Sequence, residues 1–220
     1  MVIAGSQDIH RAAELLDGGG VVAFPTDTVY GLGALTTEVE AIERIFRMKG
    51  RPRSRALIVH IGGADAMERF VDEVPDYAVK LAEAFWPGAL TLVMRKRSEL
   101  PDQVTGGADT VGLRVPDHPV ALALLHACGQ LRGGPVGIAA PSANRFGEPP
   151  PTTAEGVITA LAPAGGDPEE SPDMILDGGL CPGGVPSTVL SCVGPWPRIL
   201  RHGATTAEQI ESVIGRWVDQ

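Results

Sequence analysis

The sequence predicts an α/β fold, a twisted open mixed sheet with flanking helices, on three observations. Helical and strand patterns alternate along almost all of the 220 residues. Gly and Pro clusters punctuate most changes of pattern. The composition supplies a sizeable core, with 44% of residues hydrophobic and 20% charged. Only 5% are aromatic, so Ala, Val, Leu and Ile must build that core. No repeat or compositional break divides the chain, and residues 1–220 read as a single domain.

The elements follow in order. Ile9, Ala12, Ala13 and Leu16 recur at helical spacing over 7–17, and Gly18-Gly19-Gly20 ends that helix. Residues 21–24 form a short apolar strand closed by Pro25. A second helix, 37–49, carries Val39, Ile42, Ile45 and Phe46 on one face. Residues 57–61 read as a strand, and 75–85 as a helix that stops at Trp86-Pro87-Gly88. Strands at 89–94 and 111–115 precede a helix over 118–129. A strand at 136–140, a loop over 141–151 and a helix from about 152 come next. Residues 163–172, rich in Pro, Gly and Glu, read as an exposed loop. Short strands near 174–177, 187–192 and 198–201, then a helix from about 205, complete the pattern.

Several function classes fall away on composition. No apolar run approaches the roughly 18 residues of a membrane span, and MVIAGSQDIHRAAELL turns polar too early for a secretory signal. Cys128, Cys181 and Cys192 are odd in number and unpatterned, which indicates neither a disulfide framework nor a zinc site. A cytoplasmic protein is the plain reading. The net charge of −9 argues against non-specific coating of nucleic acid. Within that acidic chain, Arg44, Arg47, Lys49, Arg51, Arg53 and Arg55 cluster. The cluster fits either a confined anion site or a solvated helix end.

Polar motifs collect just after the expected strands, where open α/β sheets bind ligands. The first is F-P-T-D-T-V-Y-G-L-G, residues 24–33, whose hydroxyls, carboxylate and glycines suit close approach to a small polar ligand, or equally a capped glycine turn. The second is K-G-R-P-R-S-R, residues 49–55, whose guanidinium groups suit phosphate or carboxylate. The strand after it holds His60. The third is P-S-A-N-R, residues 141–145, where Ser142 and Asn144 lie two apart on an extended segment. The fourth pairs P-S-T-V, residues 186–189, with I-L-R-H-G, residues 199–203. The chain has no P-loop, G-x-S-x-G elbow, H-E-x-x-H, C-x-x-C or G-x-G-x-x-G, which disfavours hydrolase, zinc-enzyme and dehydrogenase readings.

In this order the segments resemble the YrdC-like family of threonylcarbamoyl-AMP synthases, in its short form, with W-P-G-A-L-T and V-G-L-R-V-P-D-H as further matching blocks. The likeness runs over roughly residues 8–210. It implies a twisted α/β sheet with a concave basic ligand-binding face. By position it implies that Lys49, Arg51, Ser142 and Asn144 form the catalytic group and bind ATP. Arg55, Thr110 and Arg201 join them on the ATP side. Thr28, Tyr30, His60, Arg114, Ser187 and Thr188 would contact threonine or its carbamate. Three departures stand out: Arg55-Ala56 replaces an Asn-Pro-like pair, Pro149-Pro150-Pro151 replaces a Ser-containing stretch, and Pro186 and Ser191 stand where acidic residues are common.

The implied activity is nucleotidyl transfer, forming threonylcarbamoyl-AMP and pyrophosphate from L-threonine, bicarbonate or CO2, and ATP, for tRNA threonylcarbamoyladenosine modification. Mg²⁺ is expected with the ATP, with no protein-held metal. The implied partners are a downstream tRNA threonylcarbamoyl transferase complex and, through the basic face, tRNA or other RNA; no membrane is among them. Two rival functions share the fold: RNA binding without catalysis, and carbamoyl transfer to another acceptor.

Overall fold

The computed structural model describes residues 2–161 and 170–219. Ten strands form one mixed sheet. They are β1 (Val2–Ala4), β2 (Val22–Phe24), β3 (Gly31–Leu35), β4 (Ile58–Ile61), β5 (Leu90–Arg95), β6 (Thr110–Arg114), β7 (Gly137–Ala139), β8 (Met174–Leu176), β9 (Thr188–Ser191) and β10 (Arg198–Arg201). Their spatial order is β1-β8-β2-β3-β7-β4-β6-β5-β9-β10. Parallel pairs (β4 with β6, β5 with β9) alternate with antiparallel ones (β4 with β7, β5 with β6), so the mixed sheet expected from sequence is the one observed. The helices are α1 (Ile9–Asp17), α2 (Val39–Lys49), α3 (Asp76–Phe85), α4 (Asp102–Thr105), α5 (Pro119–Arg132), α6 (Ala154–Ala160) and α7 (Ala207–Ile214).

The two halves of this sheet are covered differently, and that difference creates the site. In the β1–β7 half, alternate residues serve two cores. Val22, Phe24, Ile138, Met174 and Leu176 pack with α1 and α5, while Ala23, Ala139 and Ile175 belong to a larger cluster with α2. In the other half, Val59, Ile61, Leu90, Leu92, Val111 and Leu113 enter that larger cluster, with α3 and α7 beneath them. The opposite faces of β4, β6 and β5 line a cleft instead.

Local sequence explains the helix that feeds this cleft. Ala41, Ile42, Ile45, Phe46 and Met48 of α2 lie on its buried face. Gly50 then adopts the left-handed conformation (φ 60°) that ends a helix cheaply only in glycine, and its N–H bonds Arg47 O and Phe46 O. The chain therefore turns sharply just before Arg51.

Four features differ from the sequence expectation. Strand β3, with the sequence Gly-Leu-Gly-Ala-Leu, reads as a glycine turn because glycine weakens strands. It is nevertheless a fully buried strand between β2 and β7. Close packing demands its glycine: a Cβ on Gly33 would lie 2.5 Å from Ile138 Cγ2 and 2.7 Å from Phe24 Cε1. Strand β1 and the short helix α4 also lie outside the sequence reading. Of the exposed loop expected over 163–172, residues 163–169 lie outside the described residues, and Ser171 and Pro172 are buried. There the Ser171 carbonyl accepts from Arg44, which also bridges to Asp173 at 2.7 Å.

Candidate active site

A cleft of about 700 Å³ opens on the half-covered part of the sheet. Its floor is the sheet face, and the segments that follow β2 (Thr26, Thr28, Tyr30) and β7 (Pro141, Ser142) complete its lining, so the expected placement of motifs after strands holds for part of the site. Strand alternation explains the placement: in β6, Val111 and Leu113 point to the core, leaving Thr110, Gly112 and Arg114 to line the cleft. Ile58 and His60 of β4 and Thr91 and Val93 of β5 do the same on either side. Among the described residues Arg51, Arg114 and Arg201 line the cleft and no Asp or Glu does, so its fixed charge favours anions.

One end is built around Arg114. Its guanidinium is 4% exposed and bonds Asp27 Oδ1 at 2.6 Å, Gly88 O at 3.0 Å and Thr28 Oγ1 at 3.4 Å. Asp27 Oδ1 also accepts from Asp117 N at 3.1 Å. The carboxylate thus fixes the guanidinium from one side and offsets its charge. Thr28 is held in turn by Thr26, whose hydroxyl lies 3.0 Å from its own. Ser187 Oγ stands 3.0 Å from Thr91 Oγ1 and accepts from Arg201 Nη2 at 3.0 Å. Arg201 therefore belongs to the Arg114–Ser187 group in this structure.

His60 pairs with Arg114 across β4 and β6 and packs edge-on to Phe24, with ring centroids 6.0 Å apart. Burial, reinforced by the Arg114 charge, pushes the imidazole down to about 3, so it is neutral at physiological pH. Its Nδ1 is buried without a partner. Because the unfolded histidine takes a proton near 6.5 and the folded one does not, stability is lost as pH falls from about 6.5 towards 3. We expect the wild type to lose up to about 1.4 kcal/mol per pH unit more than His60→Leu over that window. Urea titrations at pH 7, 6, 5 and 4 measure this, and parallel curves would refute it.

The other end gathers Arg51, Ala56, Thr110 and Ser142. Arg51 donates to Ala56 O at 2.9 Å and to Arg55 O at 3.3 Å, and its guanidinium lies 5.7 Å from the Phe146 ring centroid. The Arg55-Ala56 pair thus works here through backbone carbonyls, which any residue pair would present. The Arg55 side chain is exposed and does not line the cleft, a correction to its expected role there.

Three further expected site residues sit outside the cleft lining. Lys49 is 3% exposed, and its Nζ donates to the Ser142 and Asn144 carbonyls. Burial, then the Arg51 charge, pulls it down to about 7. It pins the 141–145 loop from behind. Asn144 is buried, donating Nδ2 to Arg145 O and Glu148 O, while its Oδ1 has no partner. Thr188 is fully buried and gives its hydroxyl to Thr205 O at 2.6 Å. Thr28, Tyr30, Arg51, His60, Thr110, Arg114, Ser142, Ser187 and Arg201 do line the cleft. The Tyr30 hydroxyl, raised to about 12 mainly by burial, is turned to Gly179 O at 2.8 Å.

Asp27, Thr91 and Gly112 were not assigned a role from sequence. The readable signal for the last two was alternation: polar or small residues at every second position of β6, opposite Val111 and Leu113, and Thr91 set between Leu90 and Leu92 in β5.

A mixed sheet with one face of its second half open as a cleft, and arginines at both ends of that cleft, defines an α/β protein whose site favours anions. The chain belongs to the Sua5/YciO/YrdC family: the family model Sua5_yciO_yrdC, described as "Telomere recombination", matches residues 14–203. A threonylcarbamoyl-AMP synthase of Bacillus subtilis is 47% identical over 208 residues, 94% of this chain and 56% of that protein. Pyrococcus abyssi Sua5, solved in complex with L-threonine, superposes with a TM-score of 0.88 at 40% identity over 99% of this chain and 62% of that one. Escherichia coli YciO superposes at 0.79 with 25% identity, over 95% and 98% of the two chains. The chain spans a little over half the length of the first two curated relatives it matches. Among the described residues no helix is long and apolar enough to cross a membrane.

Proposed function

We propose that the chain is a nucleotidyltransferase that makes threonylcarbamoyl-adenylate from L-threonine, bicarbonate or CO2, and ATP. The observation that carries this reading is one cleft with two differently built polar ends: Arg114 with Thr28, His60 and Ser187 at one, Arg51 with Thr110 and Ser142 at the other. The threonine complex of the Pyrococcus relative supports L-threonine as one substrate. The family resemblance of the motifs is the ground for assigning the Arg114 end to it and the Arg51 end to ATP.

The chemistry asks for positioning rather than a protein nucleophile. The neutral amine of threonine attacks CO2, a C–N bond forms, and a proton leaves the nitrogen to give the carbamate. A carbamate oxygen then attacks the α-phosphorus, and the bond from that phosphorus to the bridging oxygen breaks to release pyrophosphate. Arg114 and Arg201 offset the carboxylate and carbamate charges, and Arg51 offsets phosphate charge. Mg²⁺ enters this scheme bound to ATP. The donor set suits that route, because the cleft lining offers no carboxylate and the described residues hold no cluster of three His, Cys, Asp or Glu. The product is a mixed anhydride, which a tRNA-modifying transferase would consume.

Pyrophosphate release with ATP, Mg²⁺ and bicarbonate, with and without threonine, is the test. Threonine-dependent release with an adenylate in the mass spectrum is the expected result. ATP binding without release would overturn it in favour of a binding protein. Within this scheme Arg51→Ala is expected to lower ATP affinity about 100-fold, equivalent to about 2.7 kcal/mol, by calorimetry. Its melting temperature should stay within a few degrees of wild type.

A further inference from the structure

The floor of the cleft has a gap at its centre. Gly112 lies in the middle of β6, directly opposite Ile58 on β4 and Val93 on β5. Its same-face neighbours along the strand are Thr110 and Arg114, one at each end of the cleft. A Cβ built on Gly112 would lie 3.1 Å from Thr91 Cγ2, 3.6 Å from Val93 Cγ2 and 4.0 Å from Ile58 Cγ1. The backbone here does not require glycine, since it has no positive φ, and every other cleft-facing position of β4, β5 and β6 carries a side chain. The glycine therefore leaves an apolar recess midway between two polar ends.

We propose that Gly112 is the crossing point at which the two bound substrates join, and that its missing side chain sets the clearance for bond formation. The inference rests on the proposed adenylate synthesis and adds a specificity-determining position to it. Gly112 separates Thr110 from Arg114 on the cleft face of β6, so a ligand group held by Arg114 and one held at Thr110 and Arg51 approach each other over this stretch of the floor. The carbamate oxygen and the α-phosphorus must close to bonding distance there. A methyl group at this position stands under the forming bond, adds no group to either end of the cleft, and has its one tight contact with Thr91 Cγ2 at 3.1 Å. Effects of this kind fall on turnover and spare the separate binding steps.

Gly112→Ala, compared with wild type, tests this. ATP and threonine affinities are measured separately by calorimetry, and adenylate formation by mass spectrometry. The expected result is turnover lowered at least about 10-fold, with each separate affinity changed less than about 2-fold. The double variant Gly112→Ala/Thr91→Ser removes the 3.1 Å collision within the wall but keeps the added methyl and the hydroxyl beside Ser187. It is expected to stay impaired, and it serves as the test protein if the single variant folds poorly. Unchanged turnover would overturn the proposal. So would a matching loss of affinity for one substrate alone, or recovery of turnover in the double variant. Absence of adenylate formation by the wild type would instead overturn the function on which it rests.

Discussion

Arg114→Met is expected to eliminate threonine-dependent pyrophosphate release and to lower unfolding free energy by about 3–5 kcal/mol. The two losses have separate causes. The variant strips the cleft floor of a cation whose geometry is fixed by Asp27, Gly88 O and Thr28. It also leaves the Asp27 carboxylate, whose side chain is 14% exposed, without its 2.6 Å partner. A buried charge that loses its partner costs far more than the pair contributes when both members are present. The double variant Asp27→Asn/Arg114→Met removes both charges, so it should recover much of the stability in urea titration and none of the turnover. Retained threonine dependence in the single variant would remove Arg114 from the site.

Gly203→Ala should be the most damaging small substitution, costing more than about 4 kcal/mol or preventing folding. A Cβ there would lie 2.4 Å from Pro186 O, Ser187 C and Thr188 N, all backbone atoms that cannot rotate away. Backbone meets backbone at this point because residues 203–205 seal the start of β9. Ala204 N donates to Pro186 O at 3.0 Å, and Thr205 N to Thr188 Oγ1 at 3.1 Å. Any folded fraction of the variant should show weakened threonine binding, since separating these segments shifts Ser187 away from Thr91 and Arg201. Soluble yield and thermal melts check the first claim, and a stable, fully active variant would refute both.

Periodicity carried the sequence reading furthest where one face of an element is apolar. Helices α1, α2, α3 and α5 and strands β4, β5 and β6 fall within a few residues of their expected places for that reason. It failed where packing overrides local preference, as in β3, whose Gly33 is demanded by Ile138 and Phe24. The site divides along the same line. Short motifs located Thr28, Arg51, Arg114, Ser142, Ser187 and Arg201. They carry no depth, so Lys49 and Asn144 were grouped with Arg51 and Ser142 although both are buried outside the cleft lining. For Lys49 a signal existed: it continues the Ile42–Ile45 stripe of α2 and is buried with it. Asp27 was visible in its motif, but its bond to Arg114 joins residues 87 positions apart and has no local trace.

The location of the cleft on strand interiors has an evolutionary corollary. Sites carried on loops can be remodelled by changing loop length, because inserted residues bulge into solvent. Here one residue inserted into β6 would turn Thr110, Gly112 or Arg114 towards the helices and bring Val111 or Leu113 into the cleft. Both ligand recognition and the core would fail together. On this strand floor new substrate preferences therefore arise by point replacement at every second position, with strand length held constant. The loop segments around Thr28, Ser142 and Ser187 that complete the lining remain free to change length.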